Sequence, residues 1–81
     1  MMTEGGGKEM PTVDIAKTGQ NIRKRAEEAG MTMKDVADIC GVTPQAASKW
    51  GRTCLPTIDA IVVMAHIWHI TIEEIIAIKV A

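Results

Sequence analysis

Polar side chains suited to hydrogen bonding recur at helical spacing in the middle of this 81-residue sequence: Gln45, Ser48, Lys49 and Arg52. The first and third are four residues apart, as are the second and fourth, so on a helix they would share one face. The apolar residues Ala47 and Trp50 fall on the opposite side. A Gln amide can form two hydrogen bonds to adenine, and a Lys ammonium can reach guanine O6 and N7. This face has the chemistry to contact base edges, although an ordinary solvated helix face has the same composition.

Two short helices are predicted to position that face, and they meet at Gly41. Thr32 can cap the first helix, with Asp35 three residues later completing a capping box, and Thr43 can cap the second. Gly41 can end the first helix and permit a sharp turn into the next. Each helix has about two turns, so neither is stable without packing against the rest of the chain.

Small and apolar residues are spaced in a specific pattern from Met33 to Arg52. Ala37 stands at the fifth position of this stretch and Gly41 at the ninth. Apolar residues occupy the fourth, eighth, tenth, fifteenth and eighteenth positions: Val36, Cys40, Val42, Ala47 and Trp50. The pattern resembles the helix-turn-helix of the lambda-repressor-like, Cro/repressor-type family. The similarity covers roughly residues 15 to 78 and implies an all-α domain of five helices, with the helix-turn-helix at helices 2 and 3.

The resemblance also implies a function and a set of functional residues. The family consists of transcriptional regulators, so we expect sequence-specific binding of double-stranded DNA in the major groove and repression of transcription. Pro44, Gln45 and Lys49 match the family's base-contacting positions, while Thr43 and the N-terminus of the third helix match its phosphate contacts. The complete set of expected DNA-binding residues is Thr43, Pro44, Gln45, Ala46, Ser48, Lys49 and Arg52.

Several positions depart from the family pattern, and one of them, Met33, together with the low net charge leaves a second function open. Met33 stands where many relatives have a Gln that donates to phosphate. Ala26 and Gly51 stand where relatives often have a paired Arg and Glu. The net charge is also low, at −1. The alternative is a non-catalytic protein-interaction module that kept the fold and lost DNA binding.

Positive charge is concentrated in the segment that carries the predicted recognition helix. Residues 15–52 contain seven Lys or Arg and four Asp or Glu, a net +3, whereas residues 1–14 and residues 53–81 each sum to −2. Such a local excess is what DNA binding requires. The basic residues of the first helix are Lys17, Arg23, Lys24 and Arg25. They form either a solvated face or an electrostatic footprint for phosphate.

The N-terminal part of the chain is predicted to contain a tail and the first helix. Residues 1–13 include three consecutive glycines and few apolar groups, so we expect a flexible tail, followed by a helix-turn-helix domain over residues 14–81. Helix 1 should end at Ala29, and its start is capped by either Asp14 or Thr18.

The C-terminal part is predicted to contain two more helices. Helix 4 should begin at Thr57 and bury Ile58, Ile61, Val62, Ala65 and Trp68. Helix 5 should begin at Thr71, with Glu74 completing a second capping box. Its apolar residues are too many for one buried stripe: Ile72, Ile75, Ile76, Ile78 and Val80. We therefore expect a homodimer formed through this C-terminal helix, or else a tail that packs on helix 1.

Enzyme, metal and membrane functions find little support. Two Cys and two His could in principle bind zinc, but no close Cys pair is present among Cys40, Cys54, His66 and His69. No Gly-rich phosphate loop, nucleophile elbow or HExxH motif occurs, so we expect no catalysis and no cofactor. The longest apolar run, residues 60–70, is too short to span a bilayer. Without a secretory signal, a cytoplasmic location is expected.

Overall fold

The computed structural model of the chain describes residues 10–80. The elements in chain order are β1 (Pro11–Val13), α1 (Ile15–Glu28), α2 (Met33–Cys40), α3 (Pro44–Ser48), α4 (Ile58–Trp68), a 3₁₀ turn (Ile72–Glu74) and β2 (Ile78–Val80). Helices α2 and α3 form the helix-turn-helix, and α1 and α4 pack around it.

The core is mostly aliphatic and draws on most of these elements. Ile22 of α1, Val36 of α2, Met64 of α4 and Ile75 near the C-terminus are fully buried. Trp50, just after α3, is 3% exposed. Because burial of apolar surface is the main force that drives folding, these contacts fix how the helix-turn-helix sits against the other helices.

Side-chain caps set the starts of α1 and α2. The carboxylate of Asp14 accepts a hydrogen bond from the backbone N–H of Lys17 at 3.0 Å, so Asp14, and not Thr18, caps α1. At α2 the predicted capping box is confirmed: Asp35 N donates to Thr32 Oγ1 at 3.1 Å, and Thr32 N donates to Asp35 Oδ2 at 2.9 Å. The backbone N–H of Thr32 is the main reason that the pKa of Asp35 is lowered.

The predicted fifth helix is wrong, and with it the all-α class. One 3₁₀ turn follows Thr71, and the chain then becomes extended, so that β2 pairs antiparallel with β1. Three cross-strand pairs set the register: Pro11 with Val80, Thr12 with Lys79, and Val13 with Ile78. The β-branched run that looked like a crowded helix is better suited to a strand, where such side chains lose less freedom.

The same pairing corrects the predicted N-terminal tail. Residues 11–13, assigned to a flexible tail, form β1, and the backbone N–H of Asp14 extends the ladder by donating to Ala77 O at 2.7 Å. The rest of the predicted tail, residues 1–9, lies outside the described residues.

The predicted buried face of α4 is partly wrong. Thr57 caps this helix as expected and Ile61 is buried, but Ile58 is 71% exposed and Val62 is 49% exposed. Ala60 and Met64 take their places in the core. Since nearly every position of α4 is apolar, several faces fit the same helical spacing, and only packing selects one.

Candidate nucleic-acid interface

The turn between α2 and α3 is built around Gly41. This residue adopts a left-handed conformation with φ of +73°, which costs glycine nothing because it has no Cβ. The next residue, Val42, donates its backbone N–H to Ala37 O at 3.0 Å and so closes the end of α2. The chain is then directed into α3 after only Val42 and Thr43.

The N-terminus of α3 is fixed by Thr43 and Pro44. Thr43 Oγ1 accepts a hydrogen bond from Ala46 N at 3.1 Å, and Pro44 occupies the first turn, where its missing N–H is not needed. Both residues are exposed, while Ala46 is half-buried. The Thr43 oxygen accepts this bond with a lone pair, so its O–H can still donate to an outside acceptor such as phosphate.

One side of α3 is buried and the other faces solvent. Ala47 is fully buried, whereas Gln45, Ser48 and Lys49 are exposed, as the helical spacing predicts. The Ser48 hydroxyl donates to Gln45 O at 2.8 Å, so it meets an outside group as an acceptor. The structure thus leaves the amide of Gln45 and the ammonium of Lys49 directed away from the core.

Arg52 does not lie on the helix face that the sequence predicts. Helix α3 ends at Ser48, and Arg52 is exposed in the following turn, where its N–H donates to Lys49 O at 3.0 Å. Gly51 ends the helical path with a φ of +87°. The four-residue step from Ser48 to Arg52 is therefore not helical, although Arg52 remains close in sequence to the end of α3.

Arg23 is a residue whose role the sequence analysis missed. Its guanidinium Nη1 donates to Trp50 O at 2.7 Å and to Gly19 O at 3.3 Å, and its Nη2 donates to Ser48 O at 3.2 Å. The sequence predicts either a solvated face or a phosphate footprint for Arg23. Instead, this half-buried side chain joins α1 to the end of α3.

A contact between two glycines makes that junction possible. A Cβ on Gly19 would overlap Gly51 Cα and come within 2.9 Å of Trp50 O, and a Cβ on Gly51 would overlap Gly19 Cα. Gly51 stands where relatives often have an ion-paired Glu, and here backbone packs directly on backbone. The sequence does contain the residues of this junction: Gly19, Arg23 four residues later, and Gly51. No short-range spacing rule connects Gly51 to the other two, so the junction could not be predicted from the sequence.

Other basic residues of α1 have different surroundings. Lys17 and Lys24 are exposed, while Arg25 forms an ion pair with Glu74 at 3.0 Å. The N–H of Thr71 and, to a smaller extent, the charge of Arg25 lower the pKa of Glu74. Arg23 and Arg25 are thus engaged within the protein, and the expected basic footprint on α1 is smaller than the charge count suggests.

The residues considered as zinc ligands are dispersed. Cys40 is half-buried, its Sγ donates to Ala60 O at 3.8 Å, and burial raises the pKa of its thiol. Cys54 is exposed in the loop after α3, while His69 ends α4. Within residues 10–80 no three His, Cys, Asp or Glu side chains are grouped as metal ligands. No helix in this part of the chain is long and apolar enough to cross a membrane.

Comparison with known proteins agrees with this geometry. Residues 22–50 match the family model described as helix-turn-helix, a segment that runs from α1 through α2 and α3 to Trp50. No curated protein matches the chain. The matched segment includes both caps, the Gly41 turn and the exposed face of α3. Residues 22–50 therefore form a helix-turn-helix of the Cro/C1 type, which supports a lambda-repressor-like DNA-binding domain.

Proposed function

We propose that this protein binds duplex DNA at specific sequences, with α3 in the major groove, and represses transcription there. The observation that carries the proposal is the polarity of α3, since a polar face lies directly opposite buried Ala47 on a helix whose start is fixed by Thr43. Occupying an operator is enough to exclude other proteins from it. Repression therefore needs no surface beyond the DNA-binding one, and the protein would act in the cytoplasm.

Each exposed residue of the interface has a proposed partner in DNA. Gln45 pairs with adenine N6 and N7, and Lys49 donates to guanine O6 and N7. Thr43 and Arg52 contact phosphates on either side of the groove. The three remaining contacts are weaker and come from Pro44, from Ala46 against a thymine methyl group, and from the Ser48 hydroxyl as an acceptor.

We propose further that the protein binds as a homodimer. Ile78 and Val80 are 61% and 64% exposed, and alternate residues of a strand share a face, so both present apolar surface on one side of β2. Since the predicted C-terminal helix does not exist, this strand takes over its proposed role as the dimer surface. A two-fold axis must place two copies of α3 about 34 Å apart, and the operator is then an inverted repeat.

Selection of duplexes from a random pool, followed by titration of variants, tests the DNA contacts. Gln45→Ala should weaken binding to the selected site by about 1–3 kcal/mol and relax the preference at one base pair. Gln20→Ala, an equivalent change at an exposed residue of α1, is the control and should have no effect. Arg52→Ala should weaken binding to all sequences alike, and it should lower the slope of log affinity against log salt concentration by about 0.9. If Gln45→Ala weakens random DNA as much as the selected site, Gln45 does not contact a base.

Sedimentation tests the homodimer. Ile78→Asp should convert a dimer into a monomer, because a buried carboxylate would oppose association. Ile58→Asp places the same charge on an apolar residue that is 71% exposed on α4, and it should leave the dimer intact. A chain that is monomeric at high concentration with and without DNA would contradict the dimer.

A protein-interaction module remains the second candidate, and exposed apolar residues on α4 favour it. Ile58 and Val62, four residues apart, form an apolar stripe that DNA binding does not use. Failure to select any duplex at low salt, from a pool that yields sites for a known helix-turn-helix protein, would favour this candidate over DNA binding.

A further inference from the structure

We infer that Arg23 is a positioning residue for DNA recognition: it holds the backbone on both sides of Lys49 and thereby sets the direction of that side chain. The inference rests on the proposed DNA contact of Lys49. Arg23 belongs to α1, outside the helix-turn-helix, and lies 25 and 27 residues before the two carbonyl groups to which it donates in that unit.

The carbonyl groups at the end of α3 find their hydrogen-bond donors in two ways. Three of them accept hydrogen bonds from backbone N–H groups further along the chain: those of Ala46, Ala47 and Lys49. The Ser48 and Trp50 carbonyls accept instead from Arg23, at 3.2 and 2.7 Å. A five-residue helix cannot bond all its terminal carbonyl groups internally, so a partner from outside supplies what the helix lacks.

The two carbonyls that Arg23 binds lie on either side of Lys49 in the chain. Ser48 and Trp50 are the residues immediately before and after Lys49. The Ser48 carbonyl belongs to the peptide plane just before Lys49, and the Trp50 carbonyl to the plane just after Trp50. The plane between Lys49 and Trp50 is held by backbone bonds, from Trp50 N to Ala47 O and from Arg52 N to Lys49 O. With all three planes held, the Cα–Cβ direction of Lys49 is fixed. An exposed side chain that must reach one base edge depends on that direction, and a displacement of about 1 Å is enough to lose a geometrically demanding contact.

The shape of the Arg23 side chain suits it to bind two carbonyl groups at once. The planar guanidinium presents Nη1 and Nη2 in a fixed fork, which is how one side chain serves two carbonyls. The contact between Gly19 and Gly51 brings Trp50 O close to Gly19 O of the same helix as Arg23, so that Nη1 donates to both. A Lys at this position would keep the charge, but its single ammonium has no such fork.

Arg23 is engaged with the protein's own backbone and is poorly placed to bind phosphate. Within residues 10–80, its three hydrogen bonds all run to backbone carbonyls, and the side chain is half-buried. Its neighbour Lys24 is exposed and is the better candidate for a nonspecific contact. Arg23 should therefore affect specificity, whereas a phosphate contact would affect binding to every sequence.

The test compares Arg23→Lys, Arg23→Ala and the control Lys24→Ala in binding to the selected duplex and to random duplex DNA over a range of salt concentrations. For both Arg23 variants we expect about a tenfold loss of affinity for the selected site, corresponding to ~1.4 kcal/mol. For Arg23→Lys, the affinity for random DNA and the salt dependence of binding should stay unchanged. Equal losses on both DNAs, or no loss from the folded Arg23→Lys variant, would overturn the inference.

A second measurement on the free protein keeps this inference separate from the proposed function. Amide hydrogen exchange at Trp50 and Gly51 should speed up in Arg23→Lys relative to amides in the middle of α2, while Lys24→Ala should show no such local change. A uniform change across all amides would indicate lost global stability only and would overturn the positioning role. If no variant binds any DNA, the proposed function fails, and the exchange result still decides whether Arg23 orders the end of α3.

Discussion

Two segments of this protein begin with the same local signal and fold differently. Thr32 and Asp35 form a capping box at the start of α2, and Thr71 and Glu74 show the same spacing and the same hydrogen bond from Thr N–H to the carboxylate. The first segment continues as an eight-residue helix, and the second ends after a three-residue 3₁₀ turn. A cap can start a helix, but the residues that follow decide how far it continues.

The difference lies in where the next backbone groups find partners. In α2 they bond within the helix. After the 3₁₀ turn they bond to α1: Asn21 Nδ2 donates to Ile75 O at 3.0 Å, and Ala77 N donates to Thr18 Oγ1 at 3.0 Å. Two polar side chains of α1 thus replace the bonds that a fifth helix would have made, and β1 provides the partner for the strand that follows.

The largest effect is expected where the C-terminal segment enters the core. Ile75 is fully buried, so Ile75→Ala should lower the free energy of unfolding by about 2–5 kcal/mol through lost burial and a residual cavity. Ile78→Ala removes the same atoms from a residue that is 61% exposed and should cost less than about 1 kcal/mol. Denaturant unfolding measures both at a concentration where the protein is monomeric. Equal costs would mean that the C-terminal segment is not anchored through Ile75.

A smaller effect is expected at Thr18, which accepts the hydrogen bond that a fifth helix would have made internally. Thr18 is fully buried, and Thr18→Val keeps its shape while leaving the Ala77 N–H without its partner, a loss of about 1–3 kcal/mol. Thr18→Ser keeps the hydroxyl and separates this effect from packing. Faster amide exchange at Ala77 in Thr18→Val alone is the specific sign. If Thr18→Val and Thr18→Ser lower the free energy of unfolding equally, the hydrogen bond from Ala77 N does not hold the C-terminal segment in place.

The two caps can be compared directly with one substitution. Thr32→Ala removes an oxygen that accepts from the backbone N–H of Asp35 and should cost about 1 kcal/mol. Thr71 Oγ1 donates to the Glu74 carboxylate at 3.3 Å, so Thr71→Ala should cost only a few tenths of a kcal/mol. Thermal or denaturant unfolding of both variants at neutral pH gives the comparison. If Thr71→Ala lowered the free energy of unfolding more than Thr32→Ala, the cap at Thr71 would matter more than its hydrogen bond indicates.

The smallest effect is the pH dependence from the two carboxylates. Hydrogen bonds from backbone N–H groups lower the pKa of Asp35 from 3.8 and that of Glu74 from 4.5. Their stabilisation is complete above those ordinary values and is lost as the pH falls through the lowered values of the folded state. Asp35→Asn and Glu74→Gln should each flatten the acid limb of stability measured from pH 6 to pH 2. If stability fell more steeply with decreasing pH in either variant, the pKa of that carboxylate would be raised, not lowered, by folding.

The sequence by itself determined the helix-turn-helix, because its signals act over three or four residues. The caps at Thr32 and Thr43 and the left-handed turn at Gly41 each join a side chain or a backbone angle to its immediate neighbours. The exposed positions of Gln45 and Lys49 follow from the same short spacing. Arg52 lies beyond the range of this signal, because α3 ends at Ser48 and Gly51 then turns the chain with a positive φ.

Only the tertiary structure decided the rest, because the groups involved meet across long stretches of chain. The β-branched C-terminal residues suit either a crowded helix or a strand, and β1, more than 60 residues away in the sequence, makes them a strand. Nearly every position of α4 is apolar, so packing against the rest of the core, α2 included, selected its buried face. Arg23 could have faced water or phosphate, and the contact between Gly19 and Gly51 places Ser48 and Trp50 carbonyls within its reach.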